Sequence, residues 1–138
     1  MPDLERGAQL SIVKLPREID IANCRAVYAQ LFGAIRPETR VVVADLTATS
    51  FCDSSGIGQI EHARQHATKA GVRFWFVLPP GDVLRVLQTL GIDRIWSPYP
   101  TLAVALDQEA GRAETGLQLE SGERAWSPLI KPFSPRGP

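Results

Sequence analysis

The sequence lacks an excess of charge of either sign. Lys and Arg together number 15, and so do Asp and Glu, which gives a formal net charge of zero at pH 7. Proteins that bind nucleic acid or an anionic membrane through their overall charge carry a basic excess. We therefore predict no direct contact with nucleic acid and none with a membrane.

Long apolar runs are also missing. No run approaches the roughly 20 apolar residues that a membrane-spanning helix needs. The first ten residues, MPDLERGAQL, are charged and contain no apolar stretch typical of an export signal. From these two absences we expect a cytoplasmic protein.

Cysteine and histidine are scarce. Cys24 and Cys52 lie too far apart in the sequence to form a metal knuckle, so we expect reduced thiols. His62 and His66 are four residues apart and share a helix face, but no acid or cysteine completes a known metal-site pattern. We predict a solvated helix face for the two histidines, no metal and no cofactor.

The chain of 138 residues fits one domain in which strand-like and helix-like segments alternate. Apolar and β-branched residues predict strands at 9–15, 41–49 and 72–78, with a short strand at most within 93–100. Helical spacing of apolar residues predicts helices at 24–35, about 55–70, 82–90 and 102–110. The order β-α-β-α-β-α-β-α, with short crossovers, is typical of an α/β domain with parallel neighbouring strands.

Residues 51–60, FCDSSGIGQI, place an acid, two hydroxyls and two glycines between a predicted strand and a predicted helix. A helix N-terminus has unpaired N–H groups and a partial positive charge, which favours a phosphate on a serine there. Gly56 and Gly58 each cost a helix about 1 kcal/mol relative to Ala. Close approach of another backbone, such as a kinase active site, is one reason for them. A plain N-cap formed by Asp53, Ser54 or Ser55 is the alternative.

A hydrolase that uses Ser54 or Ser55 as nucleophile has little support. Neither serine has the glycine that precedes the nucleophile in the G-x-S-x-G elbow. His62 follows Ser54 by eight residues, which is about 12 Å along a helix axis and too far for a general base. SSGIG also lacks the lysine of a phosphate-binding loop, so only weak nucleotide binding stays open. We expect no enzymatic activity.

The turn and its surroundings resemble the STAS domain family, in particular the bacterial anti-sigma factor antagonists. The matching stretches are LPREID (15–20), VVVADLTATSFCDSSGIGQI (41–60), GVRFWFVLPPGDVLRVLQTLGIDRIW (71–96) and TLAVAL (101–106). They span about residues 8–110, which we take as the domain, and leave a C-terminal extension, 111–138, that we expect to be flexible. The resemblance implies an α/β fold: a mixed four- or five-stranded sheet with helices packed mainly on one face.

The resemblance also implies a phosphorylation switch at Ser54, directly after Asp53. An unmodified antagonist of this kind binds an anti-sigma factor, often itself the serine kinase, and so frees the sigma factor. Phosphorylation breaks the complex, and a serine phosphatase resets it. The acidic loop residue of the family maps to Asp20. The predicted partner-binding residues are Asp20, Asp53, Ser54, Ser55, Gly56, Ile57 and Gly58.

Two points stay open within this resemblance. A sensor or scaffold STAS domain that binds a small ligand or nucleotide, without a sigma-factor circuit, is the alternative function. Family members usually carry Gly where this chain has Arg17. Arg17 could pair with a phosphoserine, meet an acidic partner, or remain a solvated loop side chain.

Overall fold

The computed structural model describes residues 9–119, and the side chains up to residue 111. Within that range the elements, in chain order, are β1 (Leu10–Lys14), β2 (Glu18–Ile19), α1 (Cys24–Gly33), β3 (Val41–Asp45), β4 (Phe51–Cys52), α2 (Ser54–Lys69), β5 (Arg73–Val77), α3 (Asp82–Leu90), α4 (Ile92–Trp96) and α5 (Leu102–Leu119). Among these helices none is long and apolar enough to cross a membrane.

The central sheet is parallel and has β3 in the middle, between β1 and β5. All five residues of β3 are buried, because helices cover both faces. Val42 and Ala44 face the larger core, which α1, α2, α3 and α4 share. Val41 and Val43 face the other side, where Ala105 of α5 covers them. Most helices therefore lie on one face of the sheet.

A second, shorter pair of strands lies beyond the carboxyl ends of β1 and β3. β2 pairs with β4 in parallel, with Glu18 opposite Phe51 and Ile19 opposite Cys52. Ile19 and Cys52 point into the core, whereas Glu18 and Phe51, which precede them on the two strands, point outwards. Strands of two residues are too short to leave an alternation pattern, so the sequence did not predict this pair.

The predicted α/β fold class is confirmed. Within residues 9–119, however, the strands form two parallel groups rather than one mixed sheet. The β1–β3 ladder ends after the Leu15 N–H has bonded to the Asp45 carbonyl, because the Thr47 N–H, next in line on the β3 side, donates to Asp45 Oδ1 at 2.9 Å. Beyond it the Thr49 hydroxyl donates to the Pro16 carbonyl at 2.8 Å, and the separate β2–β4 ladder begins.

The short strand predicted within residues 93–100 is wrong for its first half. Residues 92–96 form α4, and only Tyr99 makes a bridge, to Val77. The Trp96 indole stacks on Phe76 with ring centroids 4.2 Å apart and an interplanar angle of 7°. Its Nε1 also donates to Glu61 at 2.8 Å. The packing of Trp96 therefore goes together with a helical turn in a segment where the local sequence pattern allowed a short strand.

The last helix begins as predicted and ends later. The Thr101 hydroxyl accepts the Val104 N–H at 3.1 Å and caps α5. Glu109 fixes the helix to β5, because it pairs with Arg73 and accepts from Trp75 Nε1 at 2.8 Å. The helix continues to residue 119, so the extension expected to be flexible from residue 111 is helical at its start. The rest of the extension, including Trp126, Leu129, Ile130 and Phe133, lies outside the described residues.

Glu61 links α2 to α4. Its carboxylate accepts hydrogen bonds from Trp96 Nε1 at 2.8 Å, from Arg64 at 2.8 and 2.7 Å, and from Gln65 at 3.0 Å. Burial raises the pKa of Glu61, but the bonds from Arg64, Trp96 and Gln65 outweigh it and hold the pKa below its ordinary value of 4.5.

We predict that Glu61→Gln lowers the free energy of unfolding at pH 7 by about 1–2 kcal/mol, because the charge-assisted bonds are lost. Folding lowers the pKa of Glu61, so its contribution is fully present above about pH 4.5 and is lost as the pH falls through the folded value. The difference from wild type should therefore shrink in urea melts below that pH. Glu38→Gln, at a carboxylate that is 53% exposed and 3.9 Å from Arg36, is the control and should change little. An equal loss at every pH would contradict this account.

Candidate functional site

The β2–β4 ladder leads directly into the N-terminus of α2. The Asp53 N–H donates to the Ile19 carbonyl at 3.1 Å, just where β4 ends and α2 is about to begin. Asp20 follows Ile19, so the structure brings Asp20 and Asp53 together on neighbouring backbone segments. Residues that are far apart in the sequence therefore form one surface.

Asp53 caps α2. Its Oδ1 accepts the Gly56 N–H at 3.0 Å and the Ser55 hydroxyl at 2.7 Å. The hydrogen bond from Ser55, followed by that from the Gly56 N–H, holds the pKa of Asp53 below its ordinary value. The carboxylate is therefore ionised at neutral pH, and the N-cap role that the sequence left open belongs to Asp53.

This cap corrects one expectation about phosphate at the helix end. The sequence left two interpretations open, a helix end that stabilises a phosphate on Ser54 and a plain N-cap. Asp53 already places a negative charge there and takes up the Gly56 N–H. A phosphoryl group on Ser54 would thus add its charge beside an existing carboxylate.

Ser54 is the first residue of α2 and is exposed. Among the described side chains and backbone groups, none forms a hydrogen bond with its hydroxyl; the neighbouring bonds join Asp53 to Ser55 and Gly56. An incoming enzyme can therefore reach this oxygen. The geometry permits modification at the position that the sequence singled out.

Gly56 and Ile57, predicted to bind a partner, are buried and point into the protein. A Cβ at Gly56 would lie 2.6 Å from Ile19 Cγ2 and 2.9 Å from Cys52 Sγ. Internal packing therefore explains this glycine, and the approach of a kinase backbone does not. The prediction that Gly56 and Ile57 contact a partner is therefore corrected: both residues support the turn from beneath.

Gly58 differs from Gly56 although both lie in the first turns of α2. It is exposed, and a Cβ there would meet nothing within 4 Å. No packing within the described structure requires a glycine at this position. The predicted contact residues that face outwards are thus Asp20, Asp53, Ser54, Ser55 and Gly58.

Ile21 and Phe51 belong to the same surface and were missed from the sequence. Ile21 is 75% exposed and Phe51 is 50% exposed. Both are apolar, and apolar character alone gives no reason to expect them at a surface. No local pattern could have placed them at this surface, because β2 and β4 contribute only two residues each.

Cys52 lies beneath the turn as an unreactive thiol. Burial, followed by the charges of Asp53 and Cys24, raises the pKa of Cys52 to about 12. Both cysteines of the chain are free and buried. They therefore act as packing residues, in agreement with the expected reduced thiols.

The two histidines lie beside α1, where His62 is exposed, as the predicted solvated face requires, and His66 is half-buried. His62 stacks on Tyr28 with centroids 4.9 Å apart, and His66 contacts the Phe32 ring at 4.6 Å. Neither histidine is hydrogen-bonded to Ser54 or Ser55 in the described structure. In residues 9–111 no group of three or more His, Cys, Asp or Glu side chains could hold a metal ion.

Comparison with known proteins identifies the family. The family model described as "STAS domain" matches residues 1–105. No curated protein matches the sequence. The resemblance predicted from the serine turn is confirmed by this match.

Solved structures show the same fold. An anti-sigma factor antagonist from Mycobacterium paratuberculosis superposes with a TM-score of 0.66 at 25% identity, covering 72% of this chain and 85% of that one. Unphosphorylated SpoIIAA, also an anti-sigma factor antagonist, gives 0.63 at 23% identity, with 75% and 90% covered. The STAS domain of a SulP transporter from Vibrio cholerae gives 0.63 at 21% identity, with 78% and 85% covered. The fold is therefore shared by proteins with different roles.

We predict opposite effects of alanine at the two glycines. Gly56→Ala should lower the free energy of unfolding by about 1–3 kcal/mol, because the methyl group collides with the branched Ile19 side chain. Gly58→Ala should raise it by about 1 kcal/mol, because alanine has the better helix propensity and the space is open. Chemical denaturation of both variants beside wild type measures the two changes. Destabilisation of equal size at both positions would contradict the assignment of inward and outward glycines.

Proposed function

The chain belongs to the STAS domain family, and on that premise we propose that it is an anti-sigma factor antagonist, a binding module without catalysis of its own. The observation that carries the proposal is the exposed Ser54 hydroxyl at the start of α2, beside the ionised Asp53. Similarity to structures named anti-sigma factor antagonists, including a phosphorylated form of SpoIIAA, supports it.

The switch works through desolvation of charge. With Ser54 unmodified, the outward residues of the turn pack against an anti-sigma factor. A phosphate adds about −1.5 to −2 charges to that surface. Without a matched cation, burying this charge costs several kcal/mol, which is enough to abolish a micromolar complex. Asp53 and Asp20 add repulsion, because both carboxylates belong to the same surface.

The proposal implies two enzymes and a compartment. The anti-sigma factor, or a protein that accompanies it, phosphorylates Ser54, and a serine phosphatase removes the group. The circuit operates in the cytoplasm, where sigma factors act. The competing function is a sensor or scaffold domain that binds a small ligand or nucleotide.

Ser54→Ala should retain binding to the anti-sigma factor, and Ser54→Asp should weaken it at least about tenfold. The measurement is calorimetry or interferometry against purified anti-sigma factors of the serine kinase class from the same genome. Incubation with ATP and mass spectrometry should locate the added phosphate on Ser54. Ser97→Asp adds the same charge at an exposed residue after α4 and should bind as wild type does.

Two results would decide against this function. Absence of binding to every anti-sigma factor in the panel, together with tight nucleotide binding that Ser54→Asp leaves unchanged, would favour the sensor. Turnover of ester substrates that Ser54→Ala abolishes would show a hydrolase.

Gly58→Ala should weaken binding to the anti-sigma factor although it stabilises the free protein. The reason is that the methyl group would separate two closely packed surfaces, in the place where the free protein has open space. Gly33→Ala, at the exposed end of α1 and also without neighbours within 4 Å, is the matched control. Unchanged affinity in Gly58→Ala would remove this residue from the interface.

A further inference from the structure

Two large apolar side chains are exposed beside Ser54 for no reason within the described fold. Ile21, at 75%, is the most exposed large apolar side chain among residues 9–111, and Phe51 is 50% exposed. A soluble protein exposes single apolar residues routinely. Here two of them lie on the paired segments that lead into the turn with the exposed Ser54 hydroxyl, which calls for a common explanation.

The backbone brings together the two segments that carry Ile21 and Phe51. In the β2–β4 ladder Glu18 lies opposite Phe51 and Ile19 opposite Cys52. Ile21 follows the last residue of β2 by two places, and Ser54 follows the last residue of β4 by two places. The bond from the Asp53 N–H to the Ile19 carbonyl, 3.1 Å, shows that the two segments stay together beyond the last paired residues.

Ile21 is held in place by its own loop. The Asp20 N–H donates to Asn23 Oδ1 at 2.9 Å, and the Ala22 N–H donates to Asp20 Oδ1 at 2.9 Å. The Asn23 side-chain amide donates to the Glu18 carbonyl at 2.8 Å. These three bonds cross the loop on both sides of Ile21, so its backbone is ordered before any partner arrives.

Phe51 is equally constrained. The Ser50 and Phe51 N–H groups donate to the Arg17 carbonyl, at 2.8 and 3.3 Å. Cys52, the next residue, is buried, so the alternation of a strand directs Phe51 outwards. Because the backbone of both residues is already held, binding has less backbone entropy to remove, which favours them as anchors.

We infer that Phe51 and Ile21 are the apolar anchors of the interface around Ser54 and that the partner is a protein with an apolar cleft for them and no cation facing Ser54. This inference rests on the proposed function. It assigns different roles to the residues: Phe51 and Ile21 provide the affinity for the partner, and the modification state of Ser54 controls that affinity. A cation facing Ser54 is excluded because it would pair with a phosphate and turn the switch into a stronger contact.

The test compares anchors with matched controls on the full chain. Phe51→Ala and Ile21→Ala should each weaken binding to the anti-sigma factor about tenfold or more, mainly through faster dissociation. The controls are Phe32→Ala on α1 and Ile95→Ala on α4, which remove the same types of side chain at positions that are 44% and 52% exposed. Both should leave the affinity within about twofold of wild type. Thermal melts of all four variants check folding. The loss should not depend on salt between 50 and 300 mM, because apolar contacts are not screened.

The outcomes separate this inference from the function on which it rests. Ser54→Asp could abolish binding while Phe51→Ala and Ile21→Ala bind as wild type does. That result would show that the two apolar residues are not anchors, and it would leave the control of binding by Ser54 intact. If the control variants weaken binding as much as the anchor variants, the interface is not centred on this turn. If no anti-sigma factor of the panel binds the wild-type protein, both the proposed function and the inferred anchor role are wrong.

Discussion

The contact between Gly56 and the pair Ile19 and Cys52 determines where Ser54 lies. Without a side chain at Gly56, the first turn of α2 can settle directly on the β2–β4 ladder. That ladder also positions the loop after β2 and the residues before the turn. The serine, the two carboxylates and the apolar side chains around it therefore share one rigid support. A shift of this contact would move all of them together.

The serine turn combines inward-facing and outward-facing residues within five positions. Gly56 and Ile57 face the core, whereas Ser54 and Gly58 face solvent. One short stretch thus encodes both the packing that holds the helix and the surface that it presents. The inward half is required by the fold of this chain, and the outward half is available to a partner.

The sequence predicted the large elements because their patterns are long. The β3 run 41–45 and the helical spacing of α2 each span enough residues to identify the element and its buried face. Short elements depend on contacts that no local pattern contains, as α4 depends on the Trp96 indole between Phe76 and Glu61. The same limit applies to the β2–β4 pair, where two residues of each strand meet across a long sequence separation.

The site was predictable in position and less so in detail. The turn lies where α/β folds place their sites, and Asp53 has the side chain of a cap. Which glycine faces inwards could not be derived, because Gly56 and Gly58 look equivalent until Ile19 is brought near. Phe51 and Ile21 were overlooked for a similar reason: apolar character alone does not distinguish a core residue from an exposed one.

One bond makes the two adjacent serines chemically unequal. The Ser55 hydroxyl donates its proton to Asp53 at 2.7 Å and is tied to the helix cap. To accept a phosphoryl group, that oxygen would have to leave the carboxylate and disturb the start of the helix. The Ser54 hydroxyl forms no such bond within the described part of the chain and can react without breaking one. Under the proposed function, the fold therefore favours Ser54 over Ser55 as the hydroxyl that is modified.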